Sequence, residues 1–128
     1  MITGVYASAV ALIFLTLSVR VILYRRKNQL GLGDHGDKSL MKRMRAQANC
    51  AEYAPFGLLL MALVELQDAD PSAVHLIGAT LLLGRIVHGY GFSTSPPIML
   101  MRQAGMMLTF ASYLVSVYCL LFFAFIWT

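Results

Sequence analysis

Charge is scarce in this chain. Lysine, arginine, aspartate and glutamate make up 12% of its 128 residues, against 59% hydrophobic, and mean hydropathy is +0.70. An ordinary soluble domain carries roughly 25% charged residues. This chain has too little polar surface for a water-soluble fold, so an integral membrane protein is the expected class. Acidic residues number six and cysteines two. Cys50 and Cys119 fall in separate apolar stretches, which excludes a disulfide framework and a paired redox motif and predicts buried small hydrophobes. No internal repeat and no low-complexity segment is visible.

What is present is four long apolar blocks, at about 2–24, 46–66, 73–92 and 98–127. Each is long enough for a hydrocarbon core of about 30 Å, which needs about 20 helical residues at 1.5 Å apiece. The first block has no basic region before it and its positive charges follow it, so it reads as a retained span, not a cleaved leader. Asp70-Pro71 supplies a cap and first-turn proline for a third helix, Ser95-Pro96-Pro97 interrupts the chain before a fourth, and Trp127 suits an interface. The fold expected is a single all-α domain over residues 1–128, an up-down-up-down four-helix transmembrane bundle with a longer loop at about 25–44.

The formal net charge of +4 is a topology signal. Arg20, Arg25, Arg26, Lys27, Lys38, Lys42, Arg43 and Arg45 lie at or between the first two spans, and Arg85 and Arg102 flank the turn between the last two. The connection between the second and third spans carries Glu65, Asp68 and Asp70. The positive-inside rule therefore places the basic loops in the cytoplasm and both termini outside it. A nucleic-acid role is not expected, because no basic face lies beyond the membrane boundary.

Several signals have plain readings. Gly31-Leu32-Gly33-Asp34-His35-Gly36 matches G-x-G-x-x-G, yet it follows a membrane helix with no room for a βαβ unit, so the glycines are read as turn formers. His35, His75 and His88 have no ligand spacing, and no metal is expected. No hydroxyl or thiol has a histidine and carboxylate recognisably near it, so covalent catalysis is not expected.

The stretch Arg45-Ala46-Gln47-Ala48-Asn49-Cys50-Ala51-Glu52-Tyr53-Ala54-Pro55 is different. Arg45, Asn49 and Glu52 fall at i, i+4 and i+7 and share one helix face, with Glu52 roughly 10 Å deeper than Arg45. A carboxylate facing lipid costs several kcal/mol, so Glu52 is expected to face the bundle or a wet cleft and to pair with Arg45, Arg20 or Arg85. Pro55 removes the hydrogen bond to the Ala51 carbonyl and is expected to open space between helices. Arg85, His88 and Phe92 share a face of the third helix, with Tyr90 close by. Arg102 and Thr109 share one of the fourth, so the polar residues converge at one depth. Helix-to-helix hydrogen bonding would also explain them. Arginine forks, a carboxylate, an amide and aromatic rings at a cytoplasmic boundary suit a polyanionic or zwitterionic ligand, with an apolar partner arriving through the bilayer.

At these residues the sequence resembles the MAPEG family, the membrane-associated proteins of eicosanoid and glutathione metabolism. The second-helix stretch is close to the R-A-x-x-N-x-x-E-Y-x-P segment of its leukotriene C synthase branch. Gly31-Leu32-Gly33-Asp34 with Gly36-Asp37 looks like its bacterial members, and Arg85-Ile86-Val87-His88 is similar to the third-helix motif of its prostaglandin E synthase branch. The resemblance covers nearly the whole chain and implies a homotrimer, in a bacterial inner membrane, with glutathione as co-substrate in clefts between subunits. It implies that Arg45, Gln47, Asn49, Glu52, Tyr53, His88 and Arg102 bind glutathione, and that Arg25 or Arg26, at the end of the first helix, stabilises the thiolate. Eicosanoid members commonly carry a tyrosine where this chain has Phe92, and Tyr90 could replace it only from another face. The function implied is a glutathione transferase or peroxidase acting on a lipophilic electrophile or hydroperoxide. The rivals are a catalytically silent family member holding a lipid or a partner, and a small four-helix transporter using Glu52.

Overall fold

The computed structural model describes residues 1–126, which form four helices: α1 (Ile2–Lys27), α2 (Lys38–Leu66), α3 (Pro71–Ser93) and α4 (Met99–Ile126). All four are long and apolar enough to cross a membrane, and among the described residues there is no strand. The protein is an all-α four-helix membrane bundle. Trp127 lies outside the described residues.

Helix ends follow the local chemistry. Helix α2 starts at Lys38, well before the apolar block at Ala46, because Asp37 caps it: Oδ1 accepts from the Ser39 and Leu40 N–H groups at 2.9 and 3.0 Å. The basic segment 38–45 is thus a helical extension of the span. Helix α1 ends on Arg25, Arg26 and Lys27, whose charges complement its C-terminal dipole. Asp70 accepts from the Ser72 N–H at 2.8 Å and Pro71 occupies the first turn of α3, as their order predicts. Gly33 (φ +83°) and Gly36 (φ +69°) make the turns of the α1–α2 loop.

Antiparallel α1 and α2 are tied together at the far end, where the Glu65 carboxylate accepts from the Ile2 and Thr3 N–H groups that begin α1. Val10, Leu17, Ala46, Cys50 and Ala54 form one buried cluster, and Met61, Val64, Val74 and Ile77 form another. Cys50 is buried there as a small apolar group. Outside, Leu12, Leu15, Leu59, Leu83, Leu114 and Phe122 are exposed, whereas Thr109, Ser112 and Ser116 of α4 are fully buried. Polar side chains inside and leucines outside is the arrangement expected where the solvent is hydrocarbon.

The α3–α4 crossing is set by glycine. A Cβ at Gly105 would lie 2.5 Å from the His88 nitrogen, and one at Gly84 would lie 2.8 Å from the Gly105 carbonyl oxygen. Backbones approach this closely only where side chains are missing. Helix α2 runs unbroken through Pro55, and the Tyr113 hydroxyl of α4 donates to the nearby Tyr53 carbonyl.

Candidate functional site

The i, i+4, i+7 face of α2 supplies the first part of the site. Arg45 Nη1 lies 3.9 Å from Glu52 Oε1, with the two side chains 51% and 55% exposed. Of the three arginines that the sequence offers Glu52, Arg45 is the partner. Arg20 instead donates to Ser93 Oγ, and Arg85 turns to Asn49.

Arg85 lies behind the site, where it holds Asn49. It is 2% exposed, and it donates through Nη1 to Asn49 Oδ1 at 2.6 Å and through Nη2 to Thr109 Oγ1 at 2.9 Å. The Thr109 hydroxyl in turn donates to the Gly105 carbonyl at 2.9 Å. One guanidinium therefore joins α2, α3 and α4 through neutral acceptors, and its Nε has no partner. Among the described residues no carboxylate pairs with it.

Beside this network the same three helices leave an open cleft of about 580 Å³, lined by Arg45 and Asn49 from α2, His88 and Phe92 from α3, and Arg102 and Gln103 from α4. Met99, Met106 and Met107 complete its apolar wall. Cofactor and substrate sites span about 300–1,000 Å³. Phe92 organises its mouth: the Arg102 guanidinium carbon sits 3.7 Å over the Phe92 ring centroid, and the His88 ring lies 5.3 Å away. The Phe92 ring offers a π face that holds a cation. Tyr90 is exposed on another side, in a groove between α1 and α3, and brings no hydroxyl to the cleft.

The remaining candidates lie elsewhere in the chain. Tyr53 packs on Phe110, with ring centroids 5.8 Å apart, and flanks the buried Arg85. Gln47 does not line the cleft. Arg25 donates to the Gly31 and Gly33 carbonyls, the latter at 2.8 Å, and clamps the α1–α2 loop. Arg26 is exposed beside it. Sequence reasoning did not single out Gln103 or the three methionines. Arg102, Gln103 and Met106 sit at i, i+1 and i+4, a spacing that gives a face only once one member is known to point inward.

Comparison with known proteins gives the family. A model of the MAPEG family matches residues 3–122. The chain belongs to the MAPEG family. The inner membrane protein YecN of Escherichia coli K12 is 32% identical over 117 residues, covering 91% of this chain and 88% of the relative. The protein of the same name from Escherichia coli O6:H1 matches to the same extent. The MAPEG match spans all four helices, and with them every residue that lines the cleft.

Proposed function

We propose that this MAPEG protein binds glutathione in the α2–α3–α4 cleft and activates its thiol for transfer to a lipophilic electrophile or for reduction of a hydroperoxide. The observation that carries the reading is the convergence of Arg45, Asn49, His88 and Arg102 from three helices on one open cleft, with Asn49 held in place by the buried Arg85 behind it. Glutathione carries two carboxylates, an ammonium and a thiol. Arg45 and Arg102 suit the carboxylates, Glu52 the ammonium, and Asn49 and Gln103 the peptide groups.

Two features support a homotrimer with the cleft shared between copies. Glu52 sits at the midpoint of α2 yet is half exposed in a single subunit, a costly position for a charge unless another protein surface covers it. Glu52, Tyr53, Gln47, Arg25 and Arg26 do not line the cleft of one copy, and a neighbouring copy would bring such residues to it. Of the two arginines, Arg25 is held by loop carbonyls and Arg26 is the one free to turn toward a thiol. The relative's name and the basic loops support an inner-membrane location with those loops in the cytoplasm and both termini outside it.

The chemistry follows from the sulfur. A cysteine thiol has a pKa near 8.5, and lowering it by about two units takes about 2.7 kcal/mol of differential interaction, within reach of a desolvated guanidinium contact. In transfer, the thiolate sulfur bonds to the electrophilic carbon and the leaving group departs with its electron pair. In peroxide reduction, the sulfur attacks the distal oxygen, the alkoxide takes a proton, and a second glutathione reduces the sulfenic acid to disulfide and water. The Arg45–Glu52 pairing speaks against the transporter rival, since a paired carboxylate is a poor proton carrier.

Calorimetric titration of detergent-purified protein with glutathione tests the binding, and turnover of a chlorinated dinitroarene and an organic hydroperoxide tests the chemistry. Saturable binding with turnover is the expected result. Binding without turnover would leave a silent glutathione-binding protein, and absence of binding would overturn the reading.

A further inference from the structure

Helices α1 and α3 leave a second groove, of about 350 Å³, which Arg85 also lines and which shares none of the residues that line the first cleft. Leu12, Ile13, Leu17, Ile86 and Tyr90 wall it, and Arg20 borders it toward the loops. Arg20 also borders a pocket of about 320 Å³ with Leu23, Tyr24, Lys27 and Arg43. One residue thus joins an apolar channel to a cationic pocket. From Leu12 to Arg20 the channel follows α1 for about 12 Å, at 1.5 Å per residue.

The cations in that pocket are held by neutral groups. Arg20 donates to Ser93 Oγ. Arg43 donates to the Ser39 carbonyl at 3.1 Å, and its guanidinium carbon lies 4.4 Å over the Tyr24 ring. The two guanidiniums are close enough to repel one another. Among the described residues no carboxylate pairs with Arg20, Lys27 or Arg43, the one ion pair being Arg45 with Glu52. The nearby acid, Asp37, accepts from the Tyr24 hydroxyl and the Ser39 and Leu40 N–H groups, and its charge acts on Arg43 without an ion pair between them.

We propose that this composite site binds an anionic phospholipid, its headgroup phosphate between Arg20, Lys27 and Arg43 and one acyl chain in the α1–α3 groove. Guanidinium forks match phosphate oxygens, and basic pockets between helices at a membrane boundary take anionic headgroups. A zwitterionic lipid carries its own counter-charge, and a soluble phosphate has nothing to place in the groove.

The test uses purified protein in neutral maltoside micelles, with bound lipid counted by native mass spectrometry during titration with phosphatidylglycerol, phosphatidylcholine or glycerol phosphate. Phosphatidylglycerol should bind at least tenfold tighter than the other two. Arg43→Gln with Arg20→Gln should abolish that preference, Arg43→Lys should keep most of it, and Ile86→Trp, which fills the groove, should weaken the lipid alone. Should the double variant fail to fold, the single Arg43 substitutions and Ile86→Trp decide. Equal binding of the two lipids, binding of glycerol phosphate as tight as the lipid, or exclusion of lipid because a second copy covers the pocket would each overturn the proposal. Glutathione binding is independent of all three outcomes.

Discussion

Arg85 donates to Asn49 Oδ1 at 2.6 Å while only 2% of its surface is exposed, so a buried cation in a membrane bundle rests on an amide. A hydrogen bond to a charged group is worth about 1.5–3 kcal/mol. Asn49→Ala should destabilise the protein by that order, read from unfolding in mixed micelles by circular dichroism. The double variant Asn49→Leu with Arg85→Met should be less harmed than Asn49→Ala, because no unpaired charge is left behind. An Asn49→Ala protein as stable as wild type would show that the bond does not hold the helices.

Gly105 allows α4 to lie against His88. A methyl group placed there would meet the His88 nitrogen at 2.5 Å and its Cβ at 2.6 Å, atoms that cannot swing aside. Gly105→Ala should cost about 1–3 kcal/mol through the forced shift and should widen the cleft enough to weaken its ligand. Gly4→Ala, with nothing within 4 Å of the added methyl, is the matched control and should change neither quantity.

Much of this architecture is legible in the order of the residues. Hydropathy marks the four spans, and Asp37, Asp70 and Pro71 punctuate them because capping and proline preferences act within a few residues. The shared face of Arg45, Asn49 and Glu52 also follows from helical period alone. Partner choice does not, because it depends on how helices rotate about one another. Arg20, Arg45 and Arg85 are equivalent candidates for Glu52 in sequence. Only the glycine-set crossing of α3 and α4 turns Arg85 toward Asn49 and Thr109, and only the seating of α1 against α3 takes Arg20 to Ser93. Gln103 is hidden for the same reason.

Arg45 and Glu52 are half exposed, and such pairs contribute about 0–1 kcal/mol to stability. Glu52→Gln and Arg45→Ala should therefore unfold almost as wild type does. Their glutathione affinity should fall at least tenfold, which corresponds to about 1.4 kcal/mol. Calorimetry beside a denaturation curve separates the two effects, and a loss of stability that matches the loss of affinity would contradict the assignment.

The loop end of the bundle should be acid-sensitive through Asp37. The Leu40 N–H and the Tyr24 hydroxyl donate to its carboxylate and hold it below the ordinary aspartate range. A folded-state value below the unfolded one gives stabilisation that is complete above the unfolded pKa and is lost as pH falls through the folded one. Wild type should lose stability relative to Asp37→Asn, which has no proton to take up, as pH falls below the ordinary aspartate pKa of about 4. Parallel profiles for the two proteins would remove the cap from the acid response.

The most direct measurement is ultraviolet difference absorbance of the detergent-purified protein titrated with glutathione near neutral pH, because thiolate absorbs where thiol does not. Wild type should give a saturable thiolate signal, Arg45→Ala should lose it through lost binding, and Arg26→Ala should bind glutathione yet ionise it less. A wild-type protein that takes up glutathione with no thiolate signal, or an Arg45→Ala protein that gives the full signal, would contradict a thiol-activating cleft at these residues.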